Sequence, residues 1–540
     1  MLAVSTSVQA EVKPAGARSY LQHPPQGDWD AIVIGSGIGG LGAAALLARH
    51  AGKRVLVLER HYTAGGFTHV FRRPGYEWDV GLHYIGKVLD ARSPVRRLFD
   101  QMTEGRLEWA PMPQDYDHLL FGDRRFELVA GVERFRERLA EYFPRRRGEI
   151  DTYLKAVEAA TSRSGRYFAS KAMPAPLAWL AGPLLRAPFF RYSDRSTAAV
   201  MRSVTSDAEL AAVLTAQWGD YGLPPAESSF AVHAMVAEHY FDGAAYPVGG
   251  AGRIAEGIAP LIEKAGGEIL VKAEVKEVLL EGGRATGVRM ADGRELRAPI
   301  VISDAGAHNT FGKLLPREVS DRLGVLEKIR RIPPSFGHLC LYVGLKKSAA
   351  ALGLPKSNLW IFPGNDHDAN VQRFLADPAA PLPVVFISFP SAKDPSFEER
   401  CPGRATIEVI TLAPYAWFSR WEETEWKRRG PEYEEWKRHL SERLRESLET
   451  HVPQARGQID FQELSTPLST RHFANYEAGE AYGLAPVPER FRCPWLRPAT
   501  PIPGLYLTGQ DVTTMGVTGA LFGGVLCASA ILRRNLLARI

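Results

Sequence analysis

The first ordered pattern in the chain is a short apolar run that stops at a cluster of glycines. Ala31–Ile34 (AIVI) has three β-branched residues and none that is polar, which is typical of a strand buried on both faces of a parallel sheet. The alanine-rich stretch Leu41–His50 predicts a helix, and Arg54–Leu58 (RVLVL) predicts a second buried strand. This order predicts a βαβ unit with parallel strands.

Two later segments repeat the pattern of short strands. Gly267–Gly306 alternates apolar and polar residues and has Asp292-Gly293 at a turn, which predicts a meander with a hairpin. Gly504–Leu507 predicts a strand that ends in a glycine turn, and the last helix is expected to begin near Gly516. We therefore expect the domain that contains the first βαβ unit to be discontinuous in sequence.

Three apolar stretches raise the question of membrane contact. Ala31–Ala48 and Val512–Leu532 are about as long as a bilayer-spanning helix, but several glycines interrupt each of them, so buried helices are the better interpretation. Ala172–Leu185, continued by residues 186–190, contains four prolines in all and is too short to span. It is predicted either to lie on a membrane surface or cover an apolar pocket, or to be an irregular piece of core.

Composition excludes several classes of protein. The 540 residues are 45% hydrophobic and 24% charged, which favours a large globular protein with more than one lobe. The net charge of +5 gives no reason to expect a nucleic-acid partner. The four cysteines show no metal or disulfide spacing, so we predict no metal site and a reducing, cytoplasmic location, with peripheral membrane contact left open. Residues 1–28 lack the apolar core of a signal peptide and are expected to form a flexible arm.

The glycine cluster carries the first chemistry. Gly35, Gly37 and Gly40 form a G-x-G-x-x-G pattern between the predicted strand and helix, and Glu59 follows the second strand about 20 residues later. In this context the glycines admit a pyrophosphate to the helix N-terminus, and the carboxylate accepts hydrogen bonds from ribose hydroxyls. The segment therefore predicts a dinucleotide site.

The residues after Glu59 favour FAD over a nicotinamide cofactor. The pair Gly65-Gly66 is similar to the second pyrophosphate loop of FAD oxidoreductases, and no second G-x-G-x-x-G in a strand-helix context suggests a separate NAD(P) site. Near the C-terminus, Asp511 is expected to accept a bond from the ribityl chain, and the last helix N-terminus to stabilise a reduced flavin. The other predicted FAD contacts are Ser36, Gly39, Arg60, Phe67, Val275, Gly509, Gly516, Val517, Thr518 and Gly519.

Several longer sequence motifs in the chain resemble those of one family. They are VIGSGIGGL (33–41), KRVLVLER (53–60), GLHYIG (81–86), YGLPP (221–225), HYFDGAAYPVGG (239–250), FPSAKDP (389–395), PIPGLYLTGQDV (501–512) and GALFGGVLCASAIL (519–532). From residue 30 to the C-terminus they are similar to the retinol saturases, or all-trans-retinol 13,14-reductases, within the wider group of phytoene desaturases and carotenoid isomerases.

The resemblance implies an α/β fold with a Rossmann-type FAD-binding domain of the glutathione-reductase and amine-oxidase kind, together with an α+β substrate domain. The FAD-binding domain is expected at residues 29–100, 241–310 and 496–540. The substrate domain is expected at residues 101–240 and 311–495.

The resemblance also implies a reaction on a hydrophobic isoprenoid such as a retinoid or a carotenoid. Saturating a conjugated alkene requires a hydride from the flavin, a dry apolar slot and one acid. The predicted acids lie in the two motifs that flank glycine turns, and they are His83, Tyr84, Glu238, His239 and Tyr240.

The sequence leaves the reaction type open. A saturating reductase is the first hypothesis, a redox-neutral cis-trans isomerase the second and a desaturase the third, because the same residues serve all three. A flavin-bearing lipid-binding protein without turnover is the alternative from another class. The electron donor and the double bond attacked are not encoded in any motif.

Overall fold

The computed structural model describes residues 17–540, which form 21 β-strands and 21 α-helices. The strands are β1 (Ala17–Ser19), β2 (Ala31–Ile34), β3 (Val55–Leu58), β4 (Val70–Arg73), β5 (Tyr76–Asp79), β6 (Ile85–Gly86), β7 (Trp109–Pro111), β8 (Asp115–Phe121), β9 (Arg124–Val129), β10 (Ala244–Pro247), β11 (Glu268–Val271), β12 (Val275–Glu281), β13 (Arg284–Met290), β14 (Glu295–Arg297), β15 (Val301–Ser303), β16 (Gly337–Leu345), β17 (Asn358–Phe362), β18 (Val385–Ser388), β19 (Ala405–Ala413), β20 (Ile459–Ser465) and β21 (Leu505–Leu507).

The α-helices are α1 (Ile38–Ala51), α2 (Pro94–Thr103), α3 (Val132–Tyr142), α4 (Arg147–Ala172), α5 (Ala175–Leu180), α6 (Gly182–Ser193), α7 (Thr197–Val204), α8 (Ala208–Thr215), α9 (Phe230–Tyr240), α10 (Arg253–Lys264), α11 (Ala307–Gly312), α12 (Arg317–Leu323), α13 (Val325–Arg330), α14 (Ala349–Leu352), α15 (His367–Ala376), α16 (Pro390–Lys393), α17 (Phe397–Arg400), α18 (Pro431–His451), α19 (Pro467–Ala474), α20 (Pro488–Phe491) and α21 (Gly516–Leu532).

A parallel sheet of six strands forms the first half of the fold. Its order is β1-β11-β3-β2-β15-β21, and every neighbouring pair is parallel. β2 and β3 are buried at every position, as their uninterrupted apolar sequences predict. The strands come from distant parts of the chain, and the strand predicted at Gly504–Leu507 is present as β21, which pairs with β15 at one edge of this sheet.

The predicted N-terminal arm of residues 1–28 needs a correction. Residues 1–16 lie outside the described residues, but Ala17–Ser19 pair in parallel with Ile269, Leu270 and Val271. Tyr20 is buried next to this strand. The sheet therefore begins at Ala17, 14 residues before the first strand that the sequence pattern predicts at Ala31. The strand leaves no local signal because its pairing partner is some 250 residues away.

A seven-stranded mixed sheet forms the second half of the fold. Its order is β20-β16-β19-β18-β17-β8-β9, with β17 and β8 parallel and the other pairs antiparallel. A separate sheet contains three strands in the order β6-β10-β7. The predicted meander is also confirmed, since β12, β13 and β14 form an antiparallel sheet with Gly293 in the β13–β14 turn.

The long apolar runs lie inside the protein. Helices α1 and α21 pack against each other, and α1 is buried from Ile38 to Ala48. Within residues 17–540, none of the helices is both long and apolar enough to cross a membrane. The interpretation of both runs as buried helices is therefore confirmed.

Candidate active site

One large cavity extends from the parallel sheet to the seven-stranded sheet. Its volume is about 370 Å³. The wall on the parallel-sheet side includes the backbone of several glycines. The other side has many apolar and aromatic side chains, among them Trp218, Phe336, Trp360, Phe386, Leu412 and Tyr482, together with polar residues such as His83 and Asp220. A site outside the carboxyl ends of parallel strands is where doubly wound sheets bind their cofactors.

The first glycine turn forms one wall of this cavity. Strand β2 ends at Ile34, Gly35 follows with a φ of +97°, and helix α1 begins after Gly37. A side chain at Gly39 would place its Cβ 2.5 Å from the Cα of Gly509. The two glycine turns thus touch backbone to backbone, which only residues without a Cβ allow.

Glu59 connects the first turn with the second. Its Oε2 accepts hydrogen bonds from the Ser36 amide at 2.9 Å and the Ser36 hydroxyl at 2.8 Å. The Ser36 hydroxyl in turn accepts a bond from the Gly65 amide at 3.1 Å. The carboxylate is buried but still lines the cavity, where ribose hydroxyls are expected.

The second turn lies against the first. Gly65 and Gly66 both have positive φ, and a Cβ at Gly66 would lie 2.9 Å from the Cα of Gly37. Phe67, which follows them, stacks on Tyr476 with ring centroids 6.1 Å apart. Arg60 and Val275 also line the cavity.

The C-terminal segment completes the glycine side of the cavity. Gly509 and Asp511 follow β21, and the N-terminus of α21 contributes Gly516 and Val517. Asp511 accepts the Ala307 amide at 2.8 Å on one oxygen and the Leu484 amide at 3.0 Å on the other. The carboxylate therefore ties three segments together.

Two more of the predicted contacts lie on α21. The Thr518 hydroxyl is buried without a hydrogen-bond partner among the residues described. Gly519 does not line the cavity but packs against Thr514.

These residues fit FAD. The close backbone contacts leave a groove that side chains at Gly37, Gly39 or Gly66 would fill, and the first turns of α1 and α21 point their amides into it. Glu59 offers a carboxylate at the end of β3. Gly35, Ser36, Gly37, Gly39, Glu59, Gly65, Gly66, Gly509 and Val517 would hold the cofactor.

Asp304 is a member of this groove that the sequence analysis missed. It follows β15, lines the cavity, and its Oδ2 lies 2.5 Å from where a Cβ at Gly37 would be. Burial, together with the negative charges of Glu59 and Asp511, raises the pKa of the Asp304 carboxyl to about 8, although a hydrogen bond from the Gly40 amide opposes the rise. At neutral pH the carboxyl is protonated, so it does not repel an anionic pyrophosphate.

We expect Asp304 to make flavin retention depend on pH. Ionisation above about pH 8 places a negative charge beside the pyrophosphate turn, so the flavin affinity should fall by up to about tenfold per pH unit. In Asp304→Asn, which cannot ionise, retention should be constant from pH 7 to 9. The fluorescence of flavin released on dilution of the holoenzyme measures this. Asp123→Asn, at an exposed turn, is the matched control, and equal pH dependence in Asp304→Asn and wild type would contradict the prediction.

The predicted acids divide into those near the cavity and those away from it. His83 lines the cavity, and its Nδ1 is 2.7 Å from the buried Glu408. Burial and the charge of Lys393 lower the pKa of His83 to about 4, and burial raises that of Glu408 to about 8. Tyr84 lies one layer behind the wall, with its hydroxyl 2.8 Å from Asp220.

The other three predicted acids face away from the cavity. Tyr240 stacks on Tyr84 with ring centroids 4.4 Å apart. The Nε2 of His239 accepts the Gly86 amide at 2.8 Å, which fixes the β6 turn. Glu238 is 2.8 Å from Lys87 and 42% exposed in its side chain. Of the five, only His83 belongs to the cavity wall.

Several buried charged groups near the cavity were not predicted. Asp117, Asp220 and Glu408 come from β8, the 3₁₀ segment Ala216–Tyr221 and β19, and no motif marks them. Lys393 lies in the FPSAKDP word and is 2% exposed. A lysine within a motif shared with the family was the signal that could have identified this cluster.

Comparisons with known proteins place the chain in a family. The model of flavin containing amine oxidoreductases matches residues 38–532. The all-trans-retinol 13,14-reductase of Danio rerio is 38% identical over 94% of this chain and 87% of its own length. The chloroplastic prolycopene isomerase of Arabidopsis thaliana is 29% identical over 98% of this chain and 85% of its own.

A solved structure agrees with the fold. An oxidoreductase from Methanosarcina mazei superposes with a TM-score of 0.59 at 17% identity, covering 93% of this chain and all of that one. The similarity supports the α/β architecture alone. Together with the sequence relatives, it shows that the chain belongs to the flavin-containing amine oxidoreductases, in the branch of the all-trans-retinol 13,14-reductases.

Proposed function

We propose that this protein saturates a carbon–carbon double bond of a conjugated isoprenoid, such as all-trans-retinol or a carotenoid. The observation that carries the proposal is the single cavity, which joins the glycine groove for FAD to an aromatic slot. Relatives named all-trans-retinol 13,14-reductase support this substrate class. When FAD is bound and has been reduced by an external donor, it supplies a hydride, which carries both electrons of the reduction.

The chain's own residues supply the rest of the chemistry. Trp218, Trp360 and Phe386 form an apolar wall that would exclude water and hold a planar polyene. The predicted acids, with His83 at the wall and Tyr84 behind it, remain our proposal for the polar end of this slot. The domain division also remains a proposal, which the separate parallel and seven-stranded sheets support.

A redox-neutral isomerase is the second candidate. Relatives named prolycopene isomerase, at 29% identity, favour it. Product mass separates the two activities. Dithionite-reduced holoenzyme is incubated without oxygen with all-trans-retinol and with carotenoid isomers, and the products are analysed by mass and retention time. A gain of two hydrogens supports saturation, whereas altered retention at unchanged mass supports isomerisation and contradicts our first proposal.

We also propose that helices α5 and α6 contact a membrane surface. The proposal is supported by large apolar side chains that are exposed on these helices, Leu177 at 52%, Trp179 at 82%, Leu180 at 74% and Leu184 at 82%. Arg191 and Arg195 are exposed at the end of the same segment. Apolar side chains beside basic ones are typical of surfaces that bind anionic lipid.

The double variant Trp179→Ser/Leu184→Ser is expected to weaken binding to anionic vesicles by at least about tenfold, because two apolar side chains no longer leave water. Sedimentation with vesicles that contain phosphatidylserine measures this. Leu21→Ser is the control, because Leu21 is an apolar side chain that is 72% exposed on another part of the protein. This variant should bind vesicles like wild type. Equal binding of all three proteins would exclude this segment as the contact.

A further inference from the structure

Asp220 is the one carboxyl group on the aromatic side of the cavity. Five carboxyl groups line the cavity, and Glu59, Glu274, Asp304 and Asp511 belong to segments that follow strands of the parallel sheet. Asp220 instead lies between Trp218 and Gly222, and the neighbouring Gly219 packs on Trp360. It is thus in the slot proposed for the substrate.

The hydrogen bonds of Asp220 leave one oxygen free for a ligand. Its Oδ2 is 2.8 Å from the Tyr84 hydroxyl. Within residues 17–540, no hydrogen bond is formed by its Oδ1. The side chain is partly accessible, although the cavity encloses it.

The contacts of the Tyr84 hydroxyl require that one of two carboxyl groups, Asp220 or Asp117, is protonated. The Tyr84 oxygen is within hydrogen-bond distance of Asp220, at 2.8 Å, and of Asp117, at 3.0 Å, but a phenol has a single proton to donate. The two contacts are both hydrogen bonds only if one carboxyl is protonated and donates to the phenol oxygen.

Asp117 is the better candidate for the anion of the pair. It accepts further bonds from Gln217 at 3.0 Å and from Asn358 at 2.8 Å, and both favour its charged form. Asp220 has no such additional donors among the described residues. Burial and the charge of Asp117 raise the pKa of Asp220 to about 8, so that it holds the proton at neutral pH.

A buried lysine supports this arrangement from behind. The ammonium of Lys393 donates to the Asn358 side-chain oxygen, to the His83 carbonyl at 2.9 Å and to the Ser388 hydroxyl at 2.8 Å. Asn358 therefore lies between the positive charge and Asp117. Burial raises the pKa of Asp117, but its hydrogen-bond donors and the nearby cation oppose this rise, which favours placing the proton on the cavity side, at Asp220.

We propose that Asp220 is the catalytic acid of the saturation reaction, and that Tyr84 and Asp117 position it. The alkene π bond breaks and two C–H bonds form. The hydride brings both electrons from the reduced flavin to one carbon, and the Asp220 carboxyl gives its proton to the adjacent carbon. Asp220 becomes a carboxylate and regains a proton from solvent, while an external electron donor restores the reduced flavin. The assignment rests on the proposed function.

The test compares Asp220→Asn with wild type and with the control Asp123→Asn. Each dithionite-reduced holoenzyme reacts once with all-trans-retinol, and product formation is followed by mass. We expect Asp220→Asn to react about 10²–10⁴-fold more slowly at unchanged flavin content. In wild type the rate should fall above about pH 8, where the acid loses its proton. A rate in Asp220→Asn equal to wild type would overturn the proposal, and a selective loss in His83→Gln would then assign the acid to His83.

A second measurement does not depend on turnover. The infrared difference spectrum between the oxidised wild-type and Asp220→Asn holoenzymes should show a protonated carboxyl band that titrates near pH 8. The difference removes the bands of Asp304 and Glu408, whose pKa values are also about 8 and which both proteins contain. Asp220→Glu should retain the band, and it serves as the test variant should the asparagine protein lose flavin. A difference spectrum without such a band would overturn the assignment. If wild type saturates no polyene but the band titrates, the proposed function fails while the protonated state of Asp220 stands.

Discussion

Gly39→Ala is expected to produce a protein that retains less than about a tenth of the wild-type flavin. The new Cβ would lie 2.5 Å from the Cα and 2.7 Å from the amide nitrogen of Gly509, and both atoms belong to the backbone. Helix α1 and the turn after β21 must therefore move apart, and overpacking of this kind costs about 1–3 kcal/mol. The groove between the two turns is the one assigned to the pyrophosphate, so the movement should release the cofactor.

The matched control lies three residues further along the same helix. Gly42→Ala gains the same helix propensity, about 1 kcal/mol, but the nearest atoms to its Cβ are the ends of two flexible side chains, Leu521 at 3.2 Å and Met102 at 3.6 Å. We expect this variant to bind flavin like wild type. The absorbance of bound flavin per protein, after gel filtration, measures both. If Gly39→Ala binds as much flavin as wild type and has wild-type thermal stability, the two turns do not form the cofactor groove.

The parts of the site that the sequence predicts are those built from consecutive residues. The turn from Gly35 to Gly40 lies between a strand and a helix that are each recognisable alone, and Glu59 stands at the end of the next strand. The glycines after β21 follow the same rule. Local periodicity and turn chemistry therefore predict the groove and the βαβ unit.

The parts that the sequence does not predict depend on contacts between distant segments. Asp304 belongs to the groove only because β15 pairs with β2, which brings the Asp304 carboxyl close to Gly37. Asp117 and Asn358 meet because β8 and β17 pair in parallel, although 241 residues separate them. Pairing of this kind has no signature within a single segment.

The predicted acids illustrate the same limit. The motif that contains Glu238, His239 and Tyr240 is the end of helix α9, and consecutive helical residues point in different directions. Tyr240 therefore faces Tyr84, while Glu238 faces Lys87 near the surface. A motif shared with the family identifies a segment near the site, but the orientation of each side chain on the helix determines whether it reaches the cavity.

Lys393→Met is the variant from which we expect the largest loss of stability. Lys393 is buried, and its ammonium donates to three oxygen atoms. Burial raises the pKa values of Glu408 and Asp117, and the charge of Lys393 lowers both. Removing one partner of a buried charge cluster leaves the others uncompensated, which costs about 3–5 kcal/mol.

The loss should grow with pH. Burial raises the pKa of Glu408 to about 8 and that of Asp79 to about 7, so both are largely protonated and need little compensation at pH 6. Raised carboxyl pKa values make the folded state less stable as pH increases through them. Without the ammonium the pKa of Glu408 rises further. In wild type, burial lowers the pKa of Lys393 itself to about 8, so the folded state binds fewer protons above that pH and part of the pH-dependent loss of stability is offset. Lys393→Met lacks this offset, so its free energy of unfolding should fall more steeply from pH 6 to pH 9 than that of wild type.

Urea unfolding at pH 6 and pH 9 with excess FAD measures the difference. Lys347→Met removes the same charge from an exposed position and should match wild type within about 0.5 kcal/mol at both pH values. A Lys393→Met protein as stable as wild type at pH 9 would mean that Glu408 and Asp117 stay neutral without the lysine. In that case Asp117 would not be the anion that leaves the proton on Asp220, and the FPSAKDP word would have a role in packing instead of in charge.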